Sequence, residues 1–302
     1  MRWLPNFEIP WERSPSALGL EGSRFEEKKH LSLRWLGTAG YEISALGTTV
    51  LLDPFVSRPG LPHLLSRSPL IPCEAAGRRY FPKADFILVG HSHYDHLLDV
   101  PEIALRTGAT VVGSASTCRV ARARGVPEDK LREVPPAGGK MRLGSFEVQF
   151  IPSRHGKFFF GRVPLDGEIT HCPHGEHMPA NGYRVGNVFG IWLKAGNLTL
   201  YHNGSADLVD AELEGLKAQV HLVGLAGRFA TPDYFERLAR LLSPEWIFPT
   251  HYDAFFAPLE AGLKLLPAIN LRDFFRQMER FAPRADVVMP AYEEPVALPL
   301  SG

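Results

Sequence analysis

The feature that most constrains the fold is a histidine-rich segment directly after a buried strand. Residues 84–90, ADFILVG, form a short continuous apolar run, which is typical of a strand buried on both faces. Directly after it come His91, His93, Asp95 and His96. Imidazole and carboxylate groups are preferred ligands of Zn²⁺ and similar divalent ions. Because a strand-to-helix turn can direct alternate side chains into one crevice, the segment predicts a metal site at this strand end. The alternative is a polar loop that happens to be rich in histidine.

The spacing His91-x-His93-x-Asp95-His96 resembles the signature of the metallo-β-lactamase-fold hydrolases. The fuller segment HSHYDHLLD looks like the branch that contains N-acyl-phosphatidylethanolamine phospholipase D and the ascorbate-phosphate lactonases. The resemblance covers nearly the whole chain and implies an α/β (α+β) fold, a four-layer αββα sandwich with one or two metal ions at the sheet edge. It also implies that His91 and His93 bind the first ion with a later histidine. Asp95 and His96 would bind the second ion with a C-terminal histidine.

Two later histidines match the remaining ligand positions of this family. His155 follows the strand-like run SFEVQF and matches the third position, and His251 follows EWIF and matches the last. Each histidine by itself is explained equally well as an ordinary loop residue. Because both follow predicted strands in the order that the resemblance implies, ligation is favoured.

One position departs from the family pattern. The family usually supplies a bridging aspartate from a Gly-Asp-Thr turn, whereas a gapless match places Ser205 there, within the segment YHNGSAD at 201–207. Asn203 or Asp207 could take over the role. Asn203 precedes a glycine and is equally typical of a turn, and Asp207 would also serve as the N-cap of a predicted helix at 208–217.

The missing carboxylate bears on how many ions are held. In a dinuclear site the ions lie roughly 3.5–4 Å apart and repel each other, and a bridging carboxylate offsets that repulsion. A neutral residue at the bridging position therefore predicts one tightly bound Zn²⁺ at Asp95, His96 and His251, with Asn203 as a further candidate. The second site is expected to be weaker or absent unless Asp207 bridges the two ions.

The expected activity is hydrolysis by a metal-bound hydroxide, because a bound cation lowers the pKa of water to roughly 7. Asp95 or His93 would act as the catalytic group that handles the proton. The sequence contains neither a GxSxG nucleophile motif nor a P-loop, which argues against covalent serine catalysis and nucleotide-triphosphate chemistry. An iron-dependent oxidoreductase on the same fold is the alternative, and a non-catalytic binding protein is a third reading.

The substrate class follows from a long insert at about 156–186, which is longer than most structureless loops. Phe158, Phe159 and Phe160 at its start predict a lid with an apolar inner face, although they could also pack in the core. Such a lid favours a small apolar or aromatic substrate. The resemblance to the metallo-β-lactamase-fold hydrolases implies that this substrate is an ester, lactone, amide, phosphodiester or halogenated compound, and the last would make the enzyme a hydrolytic dehalogenase. The insert also contains four potential ligands of a structural metal, with a polar loop as the alternative: His171, Cys172, His174 and His177.

Three further residues could support the site. Asp53 is a candidate to accept a hydrogen bond from a metal-binding imidazole, although an aspartate before a proline also starts turns. Tyr252 and Asp253 flank His251 and could orient the substrate, or Asp253 could cap a helix. Elsewhere, Asp99 predicts a capping box at the start of the helix that follows the histidine segment.

Composition restricts the partners. Lys plus Arg and Asp plus Glu are both 33, so the formal net charge is zero, which argues against a nucleic-acid binder that relies on a basic surface. The three cysteines form no CxxC pair, which excludes a disulfide framework and indicates a reducing compartment. No apolar run reaches the roughly 18–20 residues that cross a bilayer, so we expect a cytoplasmic protein acting on a small molecule. A homodimer is compatible with the sequence.

The 302 residues fit one large domain better than two. Residues 1–30 are broken by three prolines and lack the apolar segment of a signal peptide, so they are predicted to form an irregular arm. Trp3 and Trp11 are expected to pack this arm on the body. Residues 31–302 are predicted to form a single metallo-β-lactamase-fold domain, ending in a strand at 285–292.

Overall fold

The computed structural model describes residues 7–158 and 161–300, and within them two sheets of seven strands pack against each other. In the first sheet the order is β14-β1-β2-β3-β4-β5-β6, parallel from β3 to β6 and antiparallel elsewhere. Its strands are β1 (His30–Trp35), β2 (Tyr41–Ala45), β3 (Thr48–Leu52), β4 (Phe86–Leu88), β5 (Thr110–Gly113), β6 (Leu131–Glu133) and β14 (Pro295–Pro299).

The second sheet has the order β13-β12-β11-β10-β9-β8-β7, antiparallel from β7 to β10 and parallel from β10 to β13. Its strands are β7 (Gly139–Leu143), β8 (Phe146–Pro152), β9 (Phe189–Ala195), β10 (Leu198–Asn203), β11 (Val220–Gly224), β12 (Trp246–Thr250) and β13 (Asp286–Val287). The carboxyl ends of the parallel strands in both sheets lead into the loops that carry the histidines.

Helices cover the outer face of each sheet. One apolar core lies between the sheets and continues under two helices of the second half of the chain, and a second core packs three helices of the first half on the first sheet. This arrangement confirms the predicted αββα sandwich. The helices are α1 (Leu61–Leu65), α2 (Glu74–Tyr80), α3 (Tyr94–Leu97), α4 (Val100–Thr107), α5 (Ala115–Ala123), α6 (Asp210–Leu213), α7 (Tyr234–Leu242) and α8 (Leu271–Phe281). None of the helices within the described ranges is long and apolar enough to cross a bilayer.

The described part of the N-terminal arm lies against the body through its backbone. The carbonyl of Arg13 accepts the N–H of Met289 at 2.8 Å, and the carbonyl of Leu20 accepts that of Ala297 at 2.9 Å. Trp11 is 68% exposed, so the expectation that it packs on the body is wrong; buried Leu20 takes that role instead. Trp3 lies outside the described residues. The division into an arm and one domain stays a prediction.

The predicted capping box at Asp99 is wrong. Asp99 has a helical backbone conformation, with ψ near −13°, whereas an N-cap residue is normally extended. Its buried carboxylate accepts the backbone N–H groups of Val56 and Ser57, at 2.6 and 2.9 Å, and does not cap α4. Asp99 therefore holds the loop after β3 in place. At its other end α4 stops at Gly108, whose φ of 74° is the left-handed conformation that glycine adopts most easily.

Two other predicted elements are shorter than expected. The helix at 208–217 is reduced to α6, with Val209 rather than Asp207 at its N-cap position. The predicted closing strand at 285–292 pairs only at Asp286 and Val287. The chain then continues to β14, which the sequence did not predict because its hydrogen-bonding partner is β1, at the other end of the chain.

Candidate metal centre

Loops at the ends of five strands bring the predicted ligands together with Asp53, the predicted partner of a metal-binding imidazole. Asp53 follows β3, His91 lies in the loop after β4, His155 comes shortly after β8, Asn203 ends β10, and His251 follows β12. Because parallel strands of one sheet end at the same edge, residues far apart in sequence converge there.

Among the described residues, two groups of three side chains could each hold a metal ion, with ligand atoms within 4.8 Å of one another in each group. Five of the six side chains are buried, and His155 is half-buried. We name these sets the first group and the second group. The first group consists of His91, His93 and His155, and the second group consists of Asp95, His96 and His251.

The first group has the geometry of an imidazole site. His91 Nε2 lies 3.1 Å from His93 Nδ1, close to the separation of about 3.3 Å that a tetrahedral Zn²⁺ imposes on two nitrogens bound at about 2.0–2.1 Å. The other nitrogen of His93 faces the carbonyl of Pro164 at 3.0 Å, and His155 Nδ1 faces the carbonyl of Gly156 at 2.7 Å. His155 therefore has Nε2 free to bind an ion.

The second group contains a carboxylate. His251 Nε2 lies 3.1 Å from Asp95 Oδ2, and His96 Nε2 lies 3.8 Å from the same oxygen. His96 Nδ1 is 3.0 Å from Asp53 Oδ2, so the opposite nitrogen faces the group. The donor set and the orientation of its imidazoles thus fit a divalent ion.

Asp53 lies between two imidazoles. Besides its contact with His96, its Oδ2 accepts a hydrogen bond from His202 Nε2 at 2.9 Å, and its Oδ1 accepts the N–H of Gly90 at 2.7 Å. The predicted contact between Asp53 and a candidate metal-binding imidazole is thus present. His202 was not predicted from the sequence, although it stands in the same YHNGSAD segment as Asn203. Its buried side chain packs against Asp53 and Tyr41.

Burial and charge set the protonation of these histidines. Burial lowers the pKa of His93 to about 4 and that of His155 to about 3, with neighbouring histidines adding to the effect. Burial and the same neighbours also hold the pKa of His91 well below its usual value. The first group is therefore neutral at pH 7, the state in which imidazole binds a metal. For His96, burial acts in the same direction, but Asp53 and Asp95 outweigh it and raise the pKa.

A buried ion pair holds the backbone around His251. The His251 N–H donates to the carbonyl of Thr38 at 2.8 Å, and the Thr38 N–H donates to Asp253 Oδ1, also at 2.8 Å. Asp253 Oδ2 accepts from the Arg58 guanidinium at 2.6 Å and from the Tyr292 hydroxyl at 2.7 Å. His251, Thr38 and Arg58 all have positive φ, so the network maintains a locally strained backbone.

These contacts show that both predictions for Asp253, substrate orientation and helix capping, are wrong. It is fully buried and does not face a substrate cavity, and no helix begins next to it. Its neighbour Tyr252 is also fully buried and stacks on Trp35, with ring centroids 4.9 Å apart. Both residues support the backbone instead of orienting a substrate.

The candidates for the bridging position bond mainly to one another. The Asn203 side chain donates to the carbonyl of Asp207 at 3.2 Å and accepts from Ser205 Oγ at 3.3 Å. Asp207 Oδ1 accepts the N–H of Leu208 at 2.7 Å. The structure places Asp207 in neither ligand group.

Aromatic rings stand at both ends of the two groups. The Phe158 ring is 6.3 Å from that of His155 and 5.7 Å from that of Phe229, and the Phe255 ring is 5.2 Å from that of His251. Phe158 is therefore next to the candidate site, as predicted for the lid. The other two phenylalanines of that run, Phe159 and Phe160, lie outside the described residues.

The histidine and cysteine residues of the insert do not gather in the same way. His171 and His174 are exposed, and the His177 ring is 3.2 Å from the guanidinium of Arg124. No three of the four side chains form a ligand group, although all four lie in the described part of the chain. This segment is a polar loop, and the interpretation as a structural metal site is wrong.

Comparison with known proteins defines the class. The model of the beta-lactamase superfamily domain matches residues 48–266, well over half of the chain. A UPF0173 metal-dependent hydrolase from Methanopyrus kandleri is 29% identical over 263 residues, which span 86% of this chain and 96% of the relative. The chain therefore belongs to the beta-lactamase superfamily. It is an enzyme of the metallo-β-lactamase fold, in the class of metal-dependent hydrolases.

Solved structures show the same fold. Igni18, a metallo hydrolase from Ignicoccus hospitalis, superposes with a TM-score of 0.59 at 19% identity, covering 89% of this chain and 98% of that one. CmlA, a diiron β-hydroxylase from Streptomyces venezuelae, superposes with a TM-score of 0.53 at 14% identity, covering 94% of this chain and 58% of that one. The narrower resemblance to the phospholipase D and lactonase branch stays a prediction.

Proposed function

We propose that this protein is a zinc-dependent hydrolase that binds one ion tightly in the second group and another ion more weakly in the first group. The observation that carries the proposal is the convergence of six buried or half-buried ligands into two sets with metal-binding distances. Each set has at least one imidazole whose other nitrogen contacts a carboxylate or a carbonyl, which is how metal-binding histidines are normally oriented.

The difference in affinity follows from charge. Asp95 belongs to the second group and Asp53 contacts His96, whereas the three members of the first group are neutral imidazoles. Two divalent ions about 4 Å apart repel by about 16 kcal/mol at an effective dielectric constant of 20. Ser205 occupies the family's bridging position without a charge, so little offsets that repulsion. We therefore assign the tightly held ion to Asp95, His96 and His251, and we give neither Asn203 nor Asp207 a ligand role.

The reaction we propose is hydrolysis by an activated water. When bound, the ion would lower the pKa of a water molecule to about 7 and polarise the electrophilic group of the substrate. Asp95 Oδ2 faces His251, which leaves Oδ1 as the acceptor for the proton of the attacking water. Where the first group holds no ion, the lone pair on His93 Nδ1 would take this proton from Asp95 and then release it to the leaving group.

The substrate we propose is small and apolar or aromatic. Support comes from the rings that flank the ligands, since Phe158 and Phe229 stand on the His155 side and Phe255 and Phe256 on the His251 side. These rings provide apolar surface and exclude water from charged chemistry. Esters, lactones, amides, phosphodiesters and halogenated compounds all meet the chemical requirement.

The experiment that tests the function combines metal analysis with turnover. The purified protein is dialysed against a weak chelator, its metal content is measured, and a panel of chromogenic ester, lactone, amide and phosphodiester substrates is assayed together with halide release. We expect about one zinc ion per chain and hydrolysis that stops with a strong chelator and returns with Zn²⁺. Two tightly held ions per chain would contradict the assignment of affinities. Turnover that persists in the presence of the strong chelator would contradict the proposed function.

A second candidate is an iron-dependent oxidoreductase. The second group consists of two histidines and one carboxylate, a set that also suits non-haem iron, and the fold is shared with a diiron hydroxylase. Iron in the purified protein together with turnover that requires dioxygen would favour this candidate over hydrolysis. Neither the cytoplasmic location nor the homodimer predicted from the sequence is tested by these observations, and both stay predictions.

A further inference from the structure

The two ring nitrogens of His93 have different partners. Nδ1 lies 3.1 Å from His91 Nε2, inside the first group, and Nε2 lies 3.0 Å from the carbonyl oxygen of Pro164. A carbonyl only accepts hydrogen bonds, so Nε2 carries the proton and Nδ1 presents its lone pair to the first group. The partner that selects this tautomer comes from the insert, 71 residues further along the chain.

We propose that residues 161–169 are part of the metal centre, because the Pro164 carbonyl fixes the tautomer and ring orientation of His93. The proposal rests on the proposed function in that it takes the first group as a metal site. Pro164 acts here as a positioning residue through its backbone. Outer partners of this kind typically change metal affinity by 10–100-fold when they are lost.

The backbone of the segment is built to deliver that carbonyl. Proline fixes its own φ, and the next residue, Leu165, has a positive φ of 45°, which a leucine adopts only when its surroundings enforce it. The Leu165 carbonyl accepts the N–H of Val185 at 2.9 Å, and the Gly167 carbonyl accepts that of Gly186 at 3.0 Å. Gly167 has a φ of 99°, which favours glycine. Two backbone hydrogen bonds on the C-terminal side of Pro164 thus help to orient its carbonyl group.

A buried serine anchors the far end of the segment. Ser116 Oγ, in α5, accepts the N–H of Ile169 at 2.9 Å and donates to the carboxylate of Glu168. Ser116 is 1% exposed and belongs to neither ligand group. It therefore offers a way to loosen the segment without touching a metal ligand.

His96 and His155 also have a hydrogen-bonding or ionic partner at their second ring nitrogen, but these partners come from other parts of the chain. His96 is oriented by Asp53, at the end of β3, and His155 by the carbonyl of the adjacent Gly156. Among these three, only His93 has its outer partner in residues 161–169. Any substrate that displaces residues 161–169 therefore weakens the first group, and by linkage a bound ion in that group favours the docked segment.

The first test measures the tautomer in the metal-free protein. Proton–nitrogen correlation spectra of ¹⁵N-histidine-labelled protein distinguish the two neutral tautomers, and a His93→Gln variant identifies the resonance. We expect His93 with its proton on Nε2. A proton on Nδ1 would overturn the proposal. Because no metal is present, this outcome is independent of whether the protein proves to be a zinc hydrolase.

The second test compares Ser116→Ala with Ser145→Ala. Ser145 is a half-buried serine that donates to the carbonyl of Ala45 at 2.8 Å in a turn of the second sheet, so its variant is a matched control. Binding of Co²⁺ is followed by its visible absorption under competition with a chelator. We expect Ser116→Ala to weaken the lower-affinity ion at least tenfold, and to leave the tighter ion and the Ser145→Ala control unchanged. Equal affinities in both variants would overturn the proposal.

A third variant covers the case in which Ser116→Ala fails to fold. Gly167→Ala places a Cβ in open space, so it adds strain at a positive φ without a clash. It should weaken the lower-affinity ion in the same way, and an unchanged affinity would overturn the proposal. If the wild-type protein binds no ion at all, the proposed function fails, while the tautomer measurement still decides the role of Pro164.

Discussion

The two ligand groups have similar size and depth but different surroundings. The first group is oriented by two backbone carbonyls, those of Pro164 and Gly156. The second group includes a carboxylate and is oriented by another, since Asp95 belongs to it and Asp53 contacts His96. Each group offers three ligand atoms within the same distance, so the number of ligands does not distinguish them. The charge within a few ångströms distinguishes the two groups, because a carboxylate stabilises a bound cation much more than a carbonyl dipole does.

The two groups also differ in how rigidly they are held. Behind the second group lie the pair Asp53 and His202 and the network of Asp253 with Arg58, whose side chains are almost completely buried. Behind the first group lies a surface insert. The comparison teaches that two groups with equal numbers of ligands can differ in what supports them, since buried ion pairs lie behind one and a backbone carbonyl of the insert contacts the other.

The largest effect that we expect is the loss of a bound ion when one of its ligands is removed, and this loss should differ between the two groups. Structural zinc binding is worth about 10–16 kcal/mol over four ligands, so losing one ligand costs about 2.5–4 kcal/mol, or about 100–1000-fold in affinity. We expect His251→Ala to remove the tightly held ion together with activity, as should His96→Ala. The matched variant His155→Ala should keep that ion and lose only the weaker one. Metal analysis after dialysis makes the comparison, and equal losses in His251→Ala and His155→Ala would contradict the difference between the groups.

One buried histidine lies outside both ligand groups, so its effect on the pH dependence of stability does not involve a metal. His221 is 3% exposed, and its Nε2 has no hydrogen-bond partner among the described residues. Burial lowers its pKa from 6.5 to about 3, so the unfolded state binds a proton that the folded state refuses as the pH falls below about 6.5. At pH 4 this should cost about 3 kcal/mol of unfolding free energy.

Denaturant unfolding of metal-free protein at pH 7.5 and pH 4 provides the measurement. We expect His221→Phe to lose less stability than the wild type between these two values, since the ring then has no proton to bind. The exposed residue His171 gives a control, because His171→Phe removes an imidazole that the fold does not bury. An identical pH dependence for His221→Phe and the wild type would show that burial of this ring does not limit stability in acid.

Removing the outer carboxylate should have the next largest effect. Asp53→Asn keeps the shape of the side chain but withdraws the negative charge next to His96, so we expect the tight ion to bind 10–100-fold more weakly. Asp85→Asn is a suitable control, because Asp85 accepts a backbone N–H of Thr49 at 2.8 Å and takes part in neither group. Competition titration with a chelator compares the two, and a tight ion that survives Asp53→Asn unchanged would remove Asp53 from the explanation.

The smallest effect should come from restoring the family's missing charge. In Ser205→Asp a carboxylate stands at the bridging position, so the weaker ion should bind about tenfold more tightly as repulsion between the ions is offset. Ser205→Asn is the neutral control of nearly equal size, and it should leave the affinity unchanged. If both variants behave alike, the charge at position 205 does not account for the weakness of the first group.

Local sequence was enough for part of this site. His91, His93, Asp95 and His96 lie within one strand-to-helix turn, so their grouping follows from a short segment. The strand ends before His155 and His251 were also recognisable. By contrast, the contact of His202 with Asp53 joins residues 149 positions apart, and Asp253 meets Arg58 across 195 positions. No local pattern marks such pairs.

At Asp99 the local sequence pattern was misleading and led to a wrong prediction. Its position before a helix, with Glu102 three residues later, has the sequence form of a capping box. In the folded protein the backbone N–H groups of Val56 and Ser57 bond to its carboxylate instead. A tertiary contact overrode the local preference, since a buried carboxylate needs hydrogen-bond donors wherever the packing supplies them.

The sequence by itself determined which ligands the chain can offer, the strand ends that carry them, and the neutral residue at position 205. Only the tertiary structure decided how charge is shared between the two groups, and that the carbonyl of Pro164 contacts His93. The physical reason is distance. Electrostatic and hydrogen-bonding interactions act over a few ångströms, and those separations are set by the packing of two sheets and an insert that lie far apart along the chain.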